Sequence, residues 1–143
     1  VNTTYLNGKI AGVGGFPNIS ANAKHSIFVG YFTAGGLKCH VEDGKLVIDQ
    51  EGRFKKFVNR CAQLSFNADQ CLAKGNKITF ISERCVIRRT EEGMVLTEIA
   101  PGIDLQTQIL DQMEFAPVIP EGGPALMDPG LFEECWGHLK DAF

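Results

Sequence analysis

Two stretches of β-prone sequence are each interrupted by a short acidic run ending in glycine, and nothing else in the chain constrains its fold so strongly. Cys39-His40-Val41 and Lys45-Leu46-Val47-Ile48 flank Glu42-Asp43-Gly44, and residues 85–90 and 94–99 flank Glu91-Glu92-Gly93. β-prone runs joined by so short a connection, one of them Asp-Gly, fold back as hairpins. Residues 77–81 and 26–32 add two strand candidates rich in β-branched and aromatic residues.

Helix signals are fewer. Asn67 caps a short helix, with Gln70 three residues on and Gly75 as its stop. Asp104 caps a second, in which Leu105, Ile109 and Met113 recur on one face. Residues 128–143 are predicted as a tail helix, with Asp128 as N-cap and Pro129 at the first helical position. Its acidic Glu133 and Glu134 suit the positive end of the helix dipole and Lys140 the other, with Leu131, Cys135, Trp136 and Leu139 as the apolar face. The expected class is α/β: a mixed sheet with β-hairpins and flanking helices, strands outnumbering helices.

At 143 residues without an internal repeat or linker, the chain reads as a single segment, residues 1–143. A formal charge of −3 with no basic stripe argues against nucleic acid as a partner. No apolar run is long enough for a membrane span, and no leader-like pattern opens the chain, so a cytoplasmic location is expected. The five cysteines are scattered without a C-x-x-C pair, which points to reduced thiols rather than disulfides or zinc. The three histidines share no metal spacing, so no metal site is expected. The sequons at Asn2-Thr3-Thr4 and Asn18-Ile19-Ser20 read as chance matches. The first residue is Val1, which leaves open a processed N-terminus or a piece of a longer polypeptide.

Two glycine-dense stretches remain: Gly12-Val13-Gly14-Gly15, ending in Phe16-Pro17, and Thr33-Ala34-Gly35-Gly36-Leu37-Lys38. By themselves they read as turns. Read with Ile19-Ser20-Ala21-Asn22-Ala23-Lys24, Gln50-Glu51-Gly52-Arg53, Ile81-Ser82-Glu83-Arg84 and Glu98-Ile99-Ala100-Pro101-Gly102-Ile103-Asp104-Leu105, they form an ordered series. That series resembles the C-terminal portion of family I CoA-transferases, the acetate/propionate and short-chain acyl-CoA type, over about residues 1–128. His25, Cys85 and Ile87 depart from the family's usual residues and read as core variations.

The resemblance implies a fold like the glucosamine-6-phosphate deaminase and ribose-5-phosphate isomerase group. It implies transfer of CoA through a glutamyl-CoA thioester, a covalent ping-pong mechanism. An amide of the first glycine loop, at Gly14 or Gly15, would then face the oxyanion, while Gly12, Gly35, Gly36 and Lys38 would contact CoA. CoA enters as substrate and no cofactor is permanently bound. The implied nucleophile belongs to a segment N-terminal to this one, so the expected partners are acyl-CoA, a small carboxylate, that N-terminal remainder and further copies in a homo-oligomer. Within the chain, Glu83-Arg84 reads as a structural ion pair or a turn between strands, and Glu98 as a hairpin residue. A non-catalytic acyl-CoA-binding or partner-binding module is the competing reading.

Overall fold

The computed structural model describes all residues except 2, 3, 7, 137, 138 and 143, and leaves the side chains of residues 6, 139 and 142 undescribed. From the N-terminus it runs through β1 (Tyr5–Leu6), β2 (Lys9–Ile10), α1 (Phe16–Asn22), β3 (His25–Val29) and β4 (Thr33–Ala34). Next come β5 (Lys38–Glu42), β6 (Lys45–Gln50), β7 (Phe54–Lys55), α2 (Ala68–Leu72), β8 (Lys77–Ile81) and β9 (Cys85–Thr90). β10 (Gly93–Ile99), α3 (Leu105–Gln108) and β11 (Ala125–Leu126) follow, with 3-10 turns at Leu110–Gln112, Pro129–Phe132 and Leu139–Ala142. Asn2 and Thr3 of the first sequon, and His138, lie outside the described residues.

Both hairpins form. β5 and β6 pair antiparallel around Asp43 and Gly44, which take φ of 50° and 69° as a type I′ turn demands. β9 and β10 pair antiparallel, with an irregularity between Leu96 and Glu98. The latter hairpin is the centre of a five-stranded mixed sheet ordered β11-β10-β9-β8-β3. β8 and β9 are antiparallel, whereas the outer pairs, β3 with β8 and β10 with β11, are parallel. The class is thus the mixed α/β arrangement expected.

One buried cluster centres on Phe32, Ile87, Leu96 and Ile109, all with no exposed surface. A second joins Phe66, Cys71 and Ile78, with Phe16 and Phe28 packed against it as a ring cluster. Burial pushes the Cys85 thiol up to about 12, so it behaves as a small core side chain.

Helix boundaries depart from expectation in three places. α1 was not foreseen: it is seven residues long, enters through Pro17, and buries Ser20, whose hydroxyl donates to the Phe16 carbonyl. The Asp104 cap forms, its carboxylate accepting from the Thr107 amide, but the helix breaks at Ile109 into a 3-10 turn. Ile109 and Met113 are nevertheless buried as their spacing required.

The tail helix over 128–143 is corrected. Asp128 does cap, accepting from the Gly130 amide, but only the 3-10 turn Pro129–Phe132 follows, and Glu133 is already extended. Gly130 is a poor helix former, and a Cβ there would meet Trp136 Cδ1 at 2.3 Å, so the indole folds back over its bare backbone. Phe132 enters the core, while Leu131 and Cys135 stay exposed. By contrast, the Asn67 cap holds as read: its side chain accepts from the Asp69 and Gln70 amides, and Gly75 ends the turn at φ 76°.

Candidate functional site

The parallel strands β3 and β8 both end on the same side of the sheet, at Val29 and Ile81. Carboxyl ends of parallel strands are where open α/β sheets bind ligands. A cleft of about 370 Å³ lies there, lined by Val29, Gly30, Tyr31, Ile81, Ser82 and Glu83. Val29 and Tyr31 offer it exposed apolar surface, and Lys56 Nζ donates to the Tyr31 carbonyl at 2.6 Å.

Beneath this end of the sheet is a buried charge cluster. Arg84 has no exposed surface, and its guanidinium reaches Glu83 through Nε at 2.7 Å and Glu51 through Nη1 at 2.7 Å and Nη2 at 3.0 Å. Nη1 also donates to the Gln108 carbonyl at 2.9 Å, and the guanidinium lies 5.0 Å from the centre of the Phe32 ring. Each carboxylate reaches further. Glu83 accepts the Phe32 amide at 2.9 Å, and Glu51 accepts the Gly52 amide at 3.1 Å and the Thr33 hydroxyl. Burial would raise the Glu51 carboxyl, but hydrogen bonds from Arg84 and Thr33, with the Arg84 charge, outweigh it and hold the group below its ordinary 4.5. Glu83-Arg84 is therefore an ion pair, and neither carboxylate oxygen of Glu83 is free. Glu98 lies on β10 with Arg88 Nη2 at 3.7 Å.

The glycine stretches take their places around this frame. Gly12 and Gly14 are exposed with open space around them, and Gly14 adopts φ 53°. Gly15 is the N-cap of α1. In the second stretch Gly35 and Gly36 take φ of 81° and 105°, a pairing that only glycine adopts without strain. The Gly35 carbonyl accepts from Arg53 Nε at 3.2 Å, and the Gly36 carbonyl from Gln50 Nε2 at 2.7 Å. Lys38 opens β5 with an exposed side chain. Gly35, Gly36 and Lys38 are brought together by one loop. No hydrogen bond between that loop and Gly12, Gly14 or Gly15 is seen among the described residues.

Cys39 turns toward the core while His40 pairs with exposed Asp49 at 2.8 Å, so the neighbours face opposite sides of β5. The hydrogen bond to Asp49 raises the His40 pKa. No three His, Cys, Asp or Glu side chains could hold a metal among the described residues, and no described helix is long and apolar enough to cross a membrane.

Glu51 was missed as a site residue. Its partner Arg84 lies 33 positions away, and no local pattern announces a contact at that separation. Gly52 shows how tightly the two segments meet: a Cβ there would lie 2.6 Å from Thr33 Oγ1 and 2.7 Å from the Ala34 carbonyl. Gly52→Ala is accordingly expected to cost about 1–3 kcal/mol by overpacking, read as a lowered urea midpoint; an unchanged midpoint would mean the segments part freely.

The fold has counterparts among solved structures. Its course follows crystal structures of the acyl-CoA transferase YdiF of Escherichia coli O157:H7, one of them a thioester complex with CoA, at 48% identity and TM-score 0.90 over 94% of this chain and 26% of that one. The apoenzyme structure matches at 47% identity and the same TM-score and coverage. Over most of its length the chain is homologous to the family I, acetate/short-chain CoA-transferases. It is 51% identical over 128 residues to the acetate CoA-transferase YdiF of Escherichia coli K12, covering 89% of this chain and 24% of the relative. It is 43% identical over 136 residues to the caffeate CoA-transferase of Acetobacterium woodii, covering 94% of this chain and 25% of that protein. The chain thus spans about a quarter of the length of the curated relatives it matches. No family model matches the chain.

Proposed function

We propose that this chain is part of an enzyme transferring CoA between a short-chain acyl-CoA and a carboxylate such as acetate, through a glutamyl-CoA thioester. The observation that carries the reading is the TM-score of 0.90, at 48% identity, to an acyl-CoA transferase crystallised as its thioester complex with CoA. In this reading a glutamate attacks the acyl-CoA carbonyl and CoA thiolate leaves. The thiolate then attacks the acyl-glutamyl anhydride, releasing the carboxylate and leaving the glutamyl thioester. Each attack passes through an oxyanion, for which the amide of Gly14 or Gly15 is the donor; the exposure of both and the open space at Gly14 suit close approach of substrate. Gly12, Gly35, Gly36 and Lys38 contact CoA, which is substrate and not a resident cofactor.

In this reading the nucleophile belongs to the N-terminal remainder of the enzyme, as the resemblance implies, and Glu83 is committed instead to Arg84 and the Phe32 amide. An edge left unpaired among the described residues supports the same partner. β3 ends the sheet, and Ile27 and Val29 on it are exposed, Val29 by 79%, although parallel strands are ordinarily covered on both faces. The complete enzyme acts in the cytoplasm as a homo-oligomer. Initial rates of the natural gene product, with acetyl-CoA and a second carboxylate varied together, should give parallel double-reciprocal lines. Intersecting lines would rule out the covalent relay.

A further inference from the structure

We infer that Thr33 is a positioning residue that acts through the Ala34-Gly35-Gly36 loop to set how tightly the protein holds CoA. This rests on the reading above, in which that loop touches CoA. Thr33 is fully buried, so it acts through the backbone and not by contact with ligand. Its hydroxyl donates to Glu51 and accepts the Gly52 amide at 3.1 Å, which fixes the residue just before the loop to the 50–53 segment.

That segment then holds the loop from the far side. Gln50 and Arg53 occupy the carbonyls of Gly36 and Gly35, and at Gly52 the backbones are too close to admit a Cβ. One residue earlier, the Phe32 amide is held by Glu83. Two consecutive positive-φ glycines have wide conformational freedom when untethered, so these attachments select the loop's shape. The Glu51–Arg84–Glu83 cluster anchors both sides of the loop, since Arg84 bonds both carboxylates. A buried ion cluster is weak as a source of net stability, and here its remaining acceptors are spent on the backbone amides and the hydroxyl that shape the loop.

The test uses the natural gene product that carries this chain, with CoA as the titrant in calorimetry. Thr33→Val keeps the volume and deletes the hydroxyl; Thr33→Ser restores it. Thr33→Val is expected to weaken CoA binding about tenfold, the loss of one well-placed hydrogen bond's worth of order. Thr33→Ser should bind as wild type, and kcat in Thr33→Val should stay within about twofold while KM for acyl-CoA rises. Gln50→Ala, a change to an exposed side chain that leaves the core intact, should weaken CoA binding in the same direction even if Thr33→Val does not fold. Thr33→Val, or Gln50→Ala in its place, with wild-type CoA affinity and only a lowered melting temperature would overturn the inference. Wild-type protein that fails to bind CoA would remove the transferase reading itself, and the inference with it.

Discussion

Arg84→Met is expected to lower stability at neutral pH by about 3–5 kcal/mol, the usual loss when one member of a buried ion cluster is removed. Arg84 is wholly buried between Glu51 and Glu83, whose side chains are 27% and 12% exposed. Methionine fills comparable space, so the loss is electrostatic: two carboxylates remain in a low-dielectric site with their cation gone. The Gln108 carbonyl also loses its donor.

The pH dependence carries a sign that separates this from a packing defect. In the wild type the Glu51 carboxyl is held below its ordinary 4.5, so its contribution is fully present above that value and fades as pH falls through the lower folded value. In the variant the stranded Glu51 carboxylate gains stability by protonation. The difference between variant and wild type should therefore be largest near neutrality and shrink below about pH 4.5. Urea denaturation at two pH values reads both effects. A difference under about 1 kcal/mol at neutral pH, or one independent of pH, would mean that Arg84 does not bind the loops together.

Leu96→Ala should cost about 2–5 kcal/mol, the range for emptying a packed core site of a leucine. Leu96 has no exposed surface and stands opposite Ile87, equally buried, across the central β9–β10 pair. Its amide also donates to the Val118 carbonyl at 2.9 Å, which ties the parallel bridge of residues 95 and 118 to the sheet. Flanking strands hydrogen-bonded on both sides cannot collapse far into the void, which places the loss toward the upper end of that range. An exposed apolar residue on the same sheet, Ile27, provides the contrast: Ile27→Ala in the isolated chain should change the midpoint little. A loss at Leu96 no larger than at Ile27 would show that the sheet centre is not the core.

The parts of this fold that could be read from sequence are those whose determinants are local. Each hairpin has its two strands and its turn within about fifteen residues, and both formed around Gly44 and the 91–93 turn. Asn67, Asp104 and Asp128 all cap as their side chains suggest. What followed each cap depended on tertiary packing: Ile109 and Phe132 were drawn into the core at the expense of helix continuity. α1 carries neither a side-chain cap nor an apolar stripe, and is held instead by Phe16 against Phe28 and Phe66. The parallel pairing of β3 with β8 joins residues 52 positions apart, His25 with Lys77, and no turn marks it.

The site divides in the same way. Gly14, Gly15, Gly35 and Gly36 stood out in sequence because unusual backbone calls for glycine, and three of the four do take positive φ. The charge cluster that shapes the second loop is assembled from Thr33, Glu51, Glu83 and Arg84, which are ordinary residues until folding gathers them.

The most direct measurement is covalent trapping. The natural gene product is incubated with acetyl-CoA, reduced with borohydride, digested and examined by mass spectrometry for a modified glutamate. The expected result is a single modified glutamate, dependent on acyl-CoA, in a peptide outside these 143 residues. Modification of Glu83 or Glu98, or saturable CoA binding with no covalent adduct at all, would contradict it.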